Sequence, residues 1–195
     1  MKPVAVGLRL TGGTARGAKL WSLPGLRVRP ALARMRVSLF AVLAPRLEGA
    51  AVADLFAGTG SLGLEALSRG AARAVFLDTD PRCLEAIRLN LKKLRFEDRA
   101  EVLRADAFRA VNGLGPVDLA FVDPPYAFYE ERAGEMGRLL EVLLRQVLRR
   151  PGGLAVVEHR AGRGPGPLTV GRIVDRRRYG GTEVTLYAGD RGDGN

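Results

Sequence analysis

From Ala51 onward the chain alternates short apolar runs with amphipathic segments, and this alternation narrows the folds open to it more than any other feature. Residues 51–56, 74–77, 101–104, 117–122 and 154–158 read as short strands. Residues 61–68, 81–94, 107–111 and 134–149 read as the helices between them. Pro81 suits a first helical turn, Gly70 stops the first of these helices, and Pro151-Gly152-Gly153 stops the last. Strands separated by helices cross over and lie parallel, with helices covering both faces. Residues 170–177 and 183–187 look like a closing antiparallel pair. The expected fold is α/β: a Rossmann-like, doubly wound, mostly parallel seven-stranded sheet.

The first thirty residues break this pattern. Gly12-Gly13, Gly17 and Pro24-Gly25 punctuate two short apolar pieces, 6–10 and 18–21, which suggests a β-hairpin arm. The arm contains no acid, and Arg9, Arg16, Lys19, Arg27 and Arg29 make it one-signed. Residues 31–43 carry Leu32, Met35, Leu39, Val42 and Leu43 at helical spacing, with Arg34 and Arg36 expected to project elsewhere. The division expected is a basic arm over 1–30, a catalytic domain over 31–188 and a frayed tail over 189–195. The whole chain of 195 residues has a formal charge of +10, which favours a polyanionic partner. One cysteine, Cys83, and one histidine, His159, argue against a disulfide or a zinc-type cluster, so no metal is expected. With neither a signal-peptide pattern nor a long apolar stretch in the sequence, a cytoplasmic protein away from membranes is expected.

Four of the predicted strands end in chemistry-bearing residues. Asp54-Leu55-Phe56-Ala57-Gly58-Thr59-Gly60-Ser61-Leu62-Gly63 joins a strand to a helix through a glycine-rich turn. Its Gly58-x-Gly60-x-x-Gly63 spacing also fits a dinucleotide fingerprint. Asp54 would repel a pyrophosphate but can hold an ammonium, which suits S-adenosylmethionine better than NAD. Asp78 ends the next strand, where a carboxylate can accept from ribose hydroxyls, while Asp80 is placed to cap the helix at Pro81. Asp106 follows the third strand, either accepting from an adenine amino group beside Ala107 and Phe108 or capping a helix. Asp123-Pro124-Pro125-Tyr126 follows the fourth. It offers a carboxylate, a carbonyl without competing amide donors, and a flat ring, a site for a planar group carrying an exocyclic amine; a plain turn is the other reading. In an open parallel sheet ligands bind beyond strand C-termini, so these acids can share one crevice. His159 is expected to be structural or to contact RNA.

These residues resemble class I S-adenosylmethionine-dependent methyltransferases with an (Asp/Asn)-Pro-Pro-Tyr motif. The stretch Leu10-Thr11-Gly12-Gly13-Thr14-Ala15-Arg16-Gly17-Ala18-Lys19-Leu20, then Arg29-Pro30, Arg34-Met35-Arg36, residues 54–71 and Tyr179-Gly180-Gly181-Thr182, are similar to the RsmD family. That resemblance implies a 16S ribosomal RNA guanine-N2 methyltransferase. It implies catalytic roles for Asp123, Pro124 and Tyr126. It implies cofactor contacts from Asp54, Phe56, Ala57, Gly58, Gly60, Asp78, Asp106, Ala107 and Asp123. RNA contacts are expected from Arg9, Arg16, Lys19, Arg29, Arg34 and Arg36. The partner implied is 16S rRNA or the assembling small subunit, met by a monomer. The chain departs from the family's pattern at Ala31, Ala33 and Val37, where polar residues are usual. Another rRNA or DNA amino-methyltransferase acting on adenine N6, and a non-catalytic RNA-binding module, are the competing readings. A NAD dehydrogenase fits less well, because no tyrosine-lysine or histidine dyad accompanies the glycine turn.

Overall fold

The computed structural model describes residues 4–23, 30–148 and 152–189. Arg27 and Arg29, and the tail beyond Gly189, lie outside them. The chain forms two compact units, 1–106 and 107–195.

In the first unit, β1 (Val4–Arg9) and β2 (Lys19–Ser22) make the expected antiparallel hairpin. Helix α1 (Pro30–Leu43) follows, burying Met35, Leu39, Phe40 and Leu43. Then β3 (Ala51–Asp54), α2 (Ser61–Ser68), β4 (Arg73–Asp78), α3 (Pro81–Leu94) and β5 (Ala100–Arg104) alternate as expected. β3 pairs with β4 and β4 with β5, all parallel. Helix α3 starts where Asp80 accepts from the Arg82 amide, with Pro81 in its first turn, so Asp80 is the helix cap. Arg82 also holds the Asp80 carboxyl down to about 2. α2 packs closely on β4 because Gly63 faces Phe76: a Cβ there would enter the Phe76 ring.

In the second unit, α4 (Ala107–Ala110) leads to β6 (Leu119–Val122), α5 (Phe128–Glu131), α6 (Ala133–Val142), β7 (Leu154–Arg160), β8 (Arg172–Tyr179) and β9 (Thr182–Ala188). β6 pairs with β7 in parallel, and β9 lies antiparallel between β7 and β8. The strand order is β5-β4-β3 in the first unit and β6-β7-β9-β8 in the second, the order of a mixed seven-stranded sheet.

Two elements differ from expectation. The helix expected to run through residues 134–149 is α-helical only to Val142 and continues as a π turn over Leu143–Val147, where the Leu148 amide reaches the Leu143 carbonyl at 2.8 Å. Helix α5 is additional; at four residues it is too short to show a period. Among the described residues no helix is long and apolar enough to cross a membrane.

Candidate functional site

The arm is fastened to helices α2 and α3 by buried polar side chains. Glu65 of α2 is fully buried. One of its oxygens accepts from the Thr11 amide at 2.8 Å, and the other from the Thr11 hydroxyl and Arg69 Nε, both at 2.7 Å. Ser68 donates to the Gly12 carbonyl and accepts from the Ala15 amide. Asn90 of α3 pairs with both backbone groups of Trp21 and also donates to the Thr59 carbonyl, so one side chain ties β2 to the glycine turn. Sequence reasoning passed over Glu65, Ser68 and Asn90. The available signal was polar residues at apolar-stripe positions, such as Asn90 between Ile87 and Leu91.

The arm's cations then separate into two groups. Arg9, Arg16, Lys19 and Arg34 are exposed, with Arg9 donating to the Gly17 carbonyl. Arg36 corrects the expectation that it projects outward. It is 6% exposed, donates to the Arg9 carbonyl at 2.6 Å and lies 3.8 Å from Glu65. Burial lowers its affinity for the proton, and Glu65 opposes that effect. A guanidinium so enclosed is a structural cation that cannot reach an RNA phosphate. Arg29 lies outside the described residues.

The glycine turn is built for close approach by a ligand. Gly58 and Gly60 have φ of +53° and +82°, values that favour glycine, and a Cβ on Gly58 would point into open space. The Ala57 amide is taken by the Leu77 carbonyl, and the Gly58 amide donates to Asp78 Oδ2 at 2.8 Å. The other Asp78 oxygen accepts from the Asp80 amide at 2.9 Å. A carboxylate has about four acceptor positions, so Asp78 held in this way keeps capacity for a pair of hydroxyls. Asp54 is 1% exposed and accepts from the Gly63 amide at 3.0 Å. Burial pushes its carboxyl up to about 7; the Gly63 hydrogen bond acts against that and nearby Asp78 adds to it. Such a carboxyl would be ionised by a ligand cation. An open glycine cradle, an oriented carboxylate and a buried acid awaiting a counter-charge fit the donor set that S-adenosylmethionine requires. Phe56 and Asp106 are half-buried, and Ala107, the first residue of the second unit, is buried.

In the second unit Asp123 follows β6 directly and is half-buried; Pro124 is buried and Pro125 exposed. The Tyr126 hydroxyl lies 2.8 Å from Thr182 Oγ1 and donates to Glu158 Oε1 at 3.2 Å. Burial raises its pKa, so the phenol stays neutral. Tyr129 donates to the Glu158 carbonyl at 2.8 Å, and burial raises its pKa as well. Tyr126 is therefore held from its far end by the opening residue of β9, a contact the sequence did not announce. Phe108 is covered on one side by Arg132, whose guanidinium sits 3.8 Å from the ring centre. His159 is 2% exposed and its ring nitrogens meet Thr185 Oγ1 and the Arg160 carbonyl, both at 3.0 Å. The structural reading of His159 holds, and burial removes the RNA-contact one.

Comparison with known proteins adds a third line. Residues 8–188 match the family model described as conserved hypothetical protein 95. A Bacillus subtilis protein, "Putative rRNA methyltransferase YlbH", is 33% identical over 92% of this chain and 98% of its own length. "Ribosomal RNA small subunit methyltransferase D" of Escherichia coli is 40% identical over 61% of this chain and 60% of its own. The solved structure titled "Putative methyltransferase yhhF from Escherichia coli" superposes with a TM-score of 0.79 at 31% identity, covering 92% of this chain and 96% of that one. The chain belongs to the family of conserved hypothetical protein 95, the RsmD family.

Proposed function

We propose that this chain is an S-adenosylmethionine-dependent methyltransferase acting on the exocyclic N2 amine of a guanine in 16S ribosomal RNA. The observation that carries the reading is Asp123-Pro124-Pro125-Tyr126 directly after β6, with the Tyr126 hydroxyl held at Thr182. Family membership supports the same assignment.

When bound, S-adenosylmethionine supplies a methyl group made electrophilic by its sulfonium charge. Asp78 would accept from the ribose hydroxyls with its remaining lone pairs, and Asp54 would balance the ligand's positive charge. Asp106 and the Ala107 amide would meet the adenine edge, and Phe56, Ala57, Gly58 and Gly60 would line the amino-acid and ribose side. Asp123 and the Pro124 carbonyl would accept the two N–H bonds of the guanine amine. That pairing turns the nitrogen lone pair out of the ring plane and makes it more nucleophilic. Tyr126, fixed at its hydroxyl, would stack on the extruded base. As the nitrogen bonded the methyl carbon, that carbon's bond to sulfur would break with its electron pair left on sulfur, and the nitrogen, then cationic, would readily lose a proton to the Asp123 carboxylate. Positioning supplies much of the rate. Arg9, Arg16, Lys19 and Arg34 would hold backbone phosphates. The enzyme would work as a cytoplasmic monomer on rRNA or an assembling small subunit.

Naked 16S rRNA, assembled small subunits and DNA are offered in turn, and the products are read by nucleoside mass spectrometry. N2-methylguanosine is expected; N6-methyladenosine would overturn the assignment. Asp123→Ala should abolish transfer while calorimetric binding of S-adenosylmethionine persists. Near-normal activity in that variant would remove Asp123 from its role, and absence of cofactor binding in the wild type would favour an RNA-binding module.

A further inference from the structure

The arm carries only part of the chain's basic charge. Residues 160–178 contain six arginines and one acid, Asp175. Much of this segment is β8, which stands at the end of the strand order, with no strand paired to its outer edge among the described residues. Arg160, Arg163, Arg172, Arg176 and Arg178 are exposed. Ion pairs engage three of the six: Arg177 with Asp175 at 2.7 Å, Arg176 with Glu183 at 3.4 Å, and Arg163 with Glu130 at 3.2 Å. Arg160, Arg172 and Arg178 have no acidic partner among the described residues; Arg178 donates only to the Gly180 carbonyl. The pair made by Arg163 with Glu130 is largely solvated, and such a pair contributes about 0–1 kcal/mol, so a phosphate can displace that carboxylate.

The register places the Arg160 end of this charge beside the acceptor motif within the same unit; Arg172, paired with Ala188, stands at the far end of β9, and Arg178, paired with Glu183, is on the opposite face from Thr182. Thr182, which touches the Tyr126 hydroxyl, pairs with Arg160 on β7 and with Tyr179 on β8. Neighbouring strands are about 4.8 Å apart, so Arg160 starts one strand away from the residue that tethers Tyr126. A base held at Tyr126 would bring a flanking phosphate toward Arg160.

We propose that the segment 160–178 is a second RNA-binding surface, in which Arg160 holds a backbone phosphate next to the acceptor nucleotide and Arg172 and Arg178 hold phosphates farther along the strand. It depends on the function proposed above only for RNA being the polyanion. A competing role for the arginines is protection of the β8 edge, where Ile173 and Val174 are 49% and 39% exposed, against pairing with another chain. The two roles differ in what salt does.

The test compares wild type with the combined Arg160→Gln, Arg172→Gln, Arg178→Gln variant, binding a 30-nucleotide oligouridylate between 50 and 200 mM KCl. Each phosphate neutralised on a single strand contributes roughly 0.7 to the slope of log K against log salt, so the variant's slope should be shallower by about 2. The corresponding triple Lys variant should keep the wild-type slope. A Gln variant with the wild-type slope would overturn the proposal, whether or not sedimentation shows new self-association. Should the triple variant fail to bind S-adenosylmethionine, Arg172→Gln alone is used, with an expected change of about 0.7. Methylation is assayed separately. A shallower slope in a protein that methylates no RNA would leave this surface standing and remove the enzymatic reading. Methylation with an unchanged slope would remove the surface alone.

Discussion

Glu65 is the residue whose loss should cost this fold most. Its carboxylate is fully buried and answers four groups: the Thr11 amide and hydroxyl, Arg69 Nε, and Arg36 at 3.8 Å. Glu65→Ala leaves two guanidiniums without their acid. Arg69 is 19% exposed along its side chain and can turn to water; Arg36, at 7%, cannot. Its Nε already lacks a hydrogen-bond partner among the described residues. Removing one member of a buried pair costs about 3–5 kcal/mol, because the remaining charge is enclosed and uncompensated. With a urea slope of roughly 2 kcal/mol per molar, the unfolding midpoint should fall by about 2 M. Trp21 is the chain's one tryptophan and sits on β2 in the arm, so its fluorescence follows release of the arm directly. Glu65→Leu combined with Arg36→Met should recover much of the loss, since an apolar pair of similar volume replaces a buried ion pair at little cost. A loss below about 1 kcal/mol for Glu65→Ala, the size of one ordinary hydrogen bond, would refute the reasoning.

Three further outcomes follow from particular contacts. Gly63→Ala, which in an unhindered helix would stabilise by about 1 kcal/mol, should destabilise by about 1–3 kcal/mol in thermal or urea unfolding, because the new methyl group meets the Phe76 ring. Asp54 has a folded pKa of about 7, raised above its unfolded value, so its contribution to stability is complete below about pH 4 and lost as pH rises to 7. Between pH 5 and 8 the wild type should lose about 3 kcal/mol relative to Asp54→Asn, and parallel urea-unfolding profiles of the two proteins would contradict this. Thr182→Val removes the hydroxyl that meets Tyr126; kcat should fall about tenfold, as for one lost hydrogen bond of about 1.4 kcal/mol, with KM for S-adenosylmethionine unchanged and Thr182→Ser restoring the rate.

What the sequence disclosed and what it withheld divide along the range of the interactions concerned. Helices α2 and α3 begin and end where proline, glycine and the Asp80 cap predict, because those signals act over a few residues. The acids Asp54, Asp78 and Asp123 stand at strand ends for the same reason: a strand's last residue is locally marked. The π turn at Leu143–Val147 carries no such mark, and α-helical periodicity runs straight through it. Arg36 shows the limit most clearly. Beside Arg34 on an amphipathic helix it reads as another surface cation, and only Glu65, buried on a different helix, makes its burial tolerable. Tyr126 is the functional counterpart. Its motif describes a flat ring next to an acid, while its orientation depends on Thr182 and Glu158, brought to it by the antiparallel pairing of β7 and β9. Local sequence therefore specifies the groups that do chemistry, and long-range pairing specifies how firmly they are aimed. Substitutions at Thr182 should accordingly alter rate through Tyr126 without altering which groups touch the cofactor.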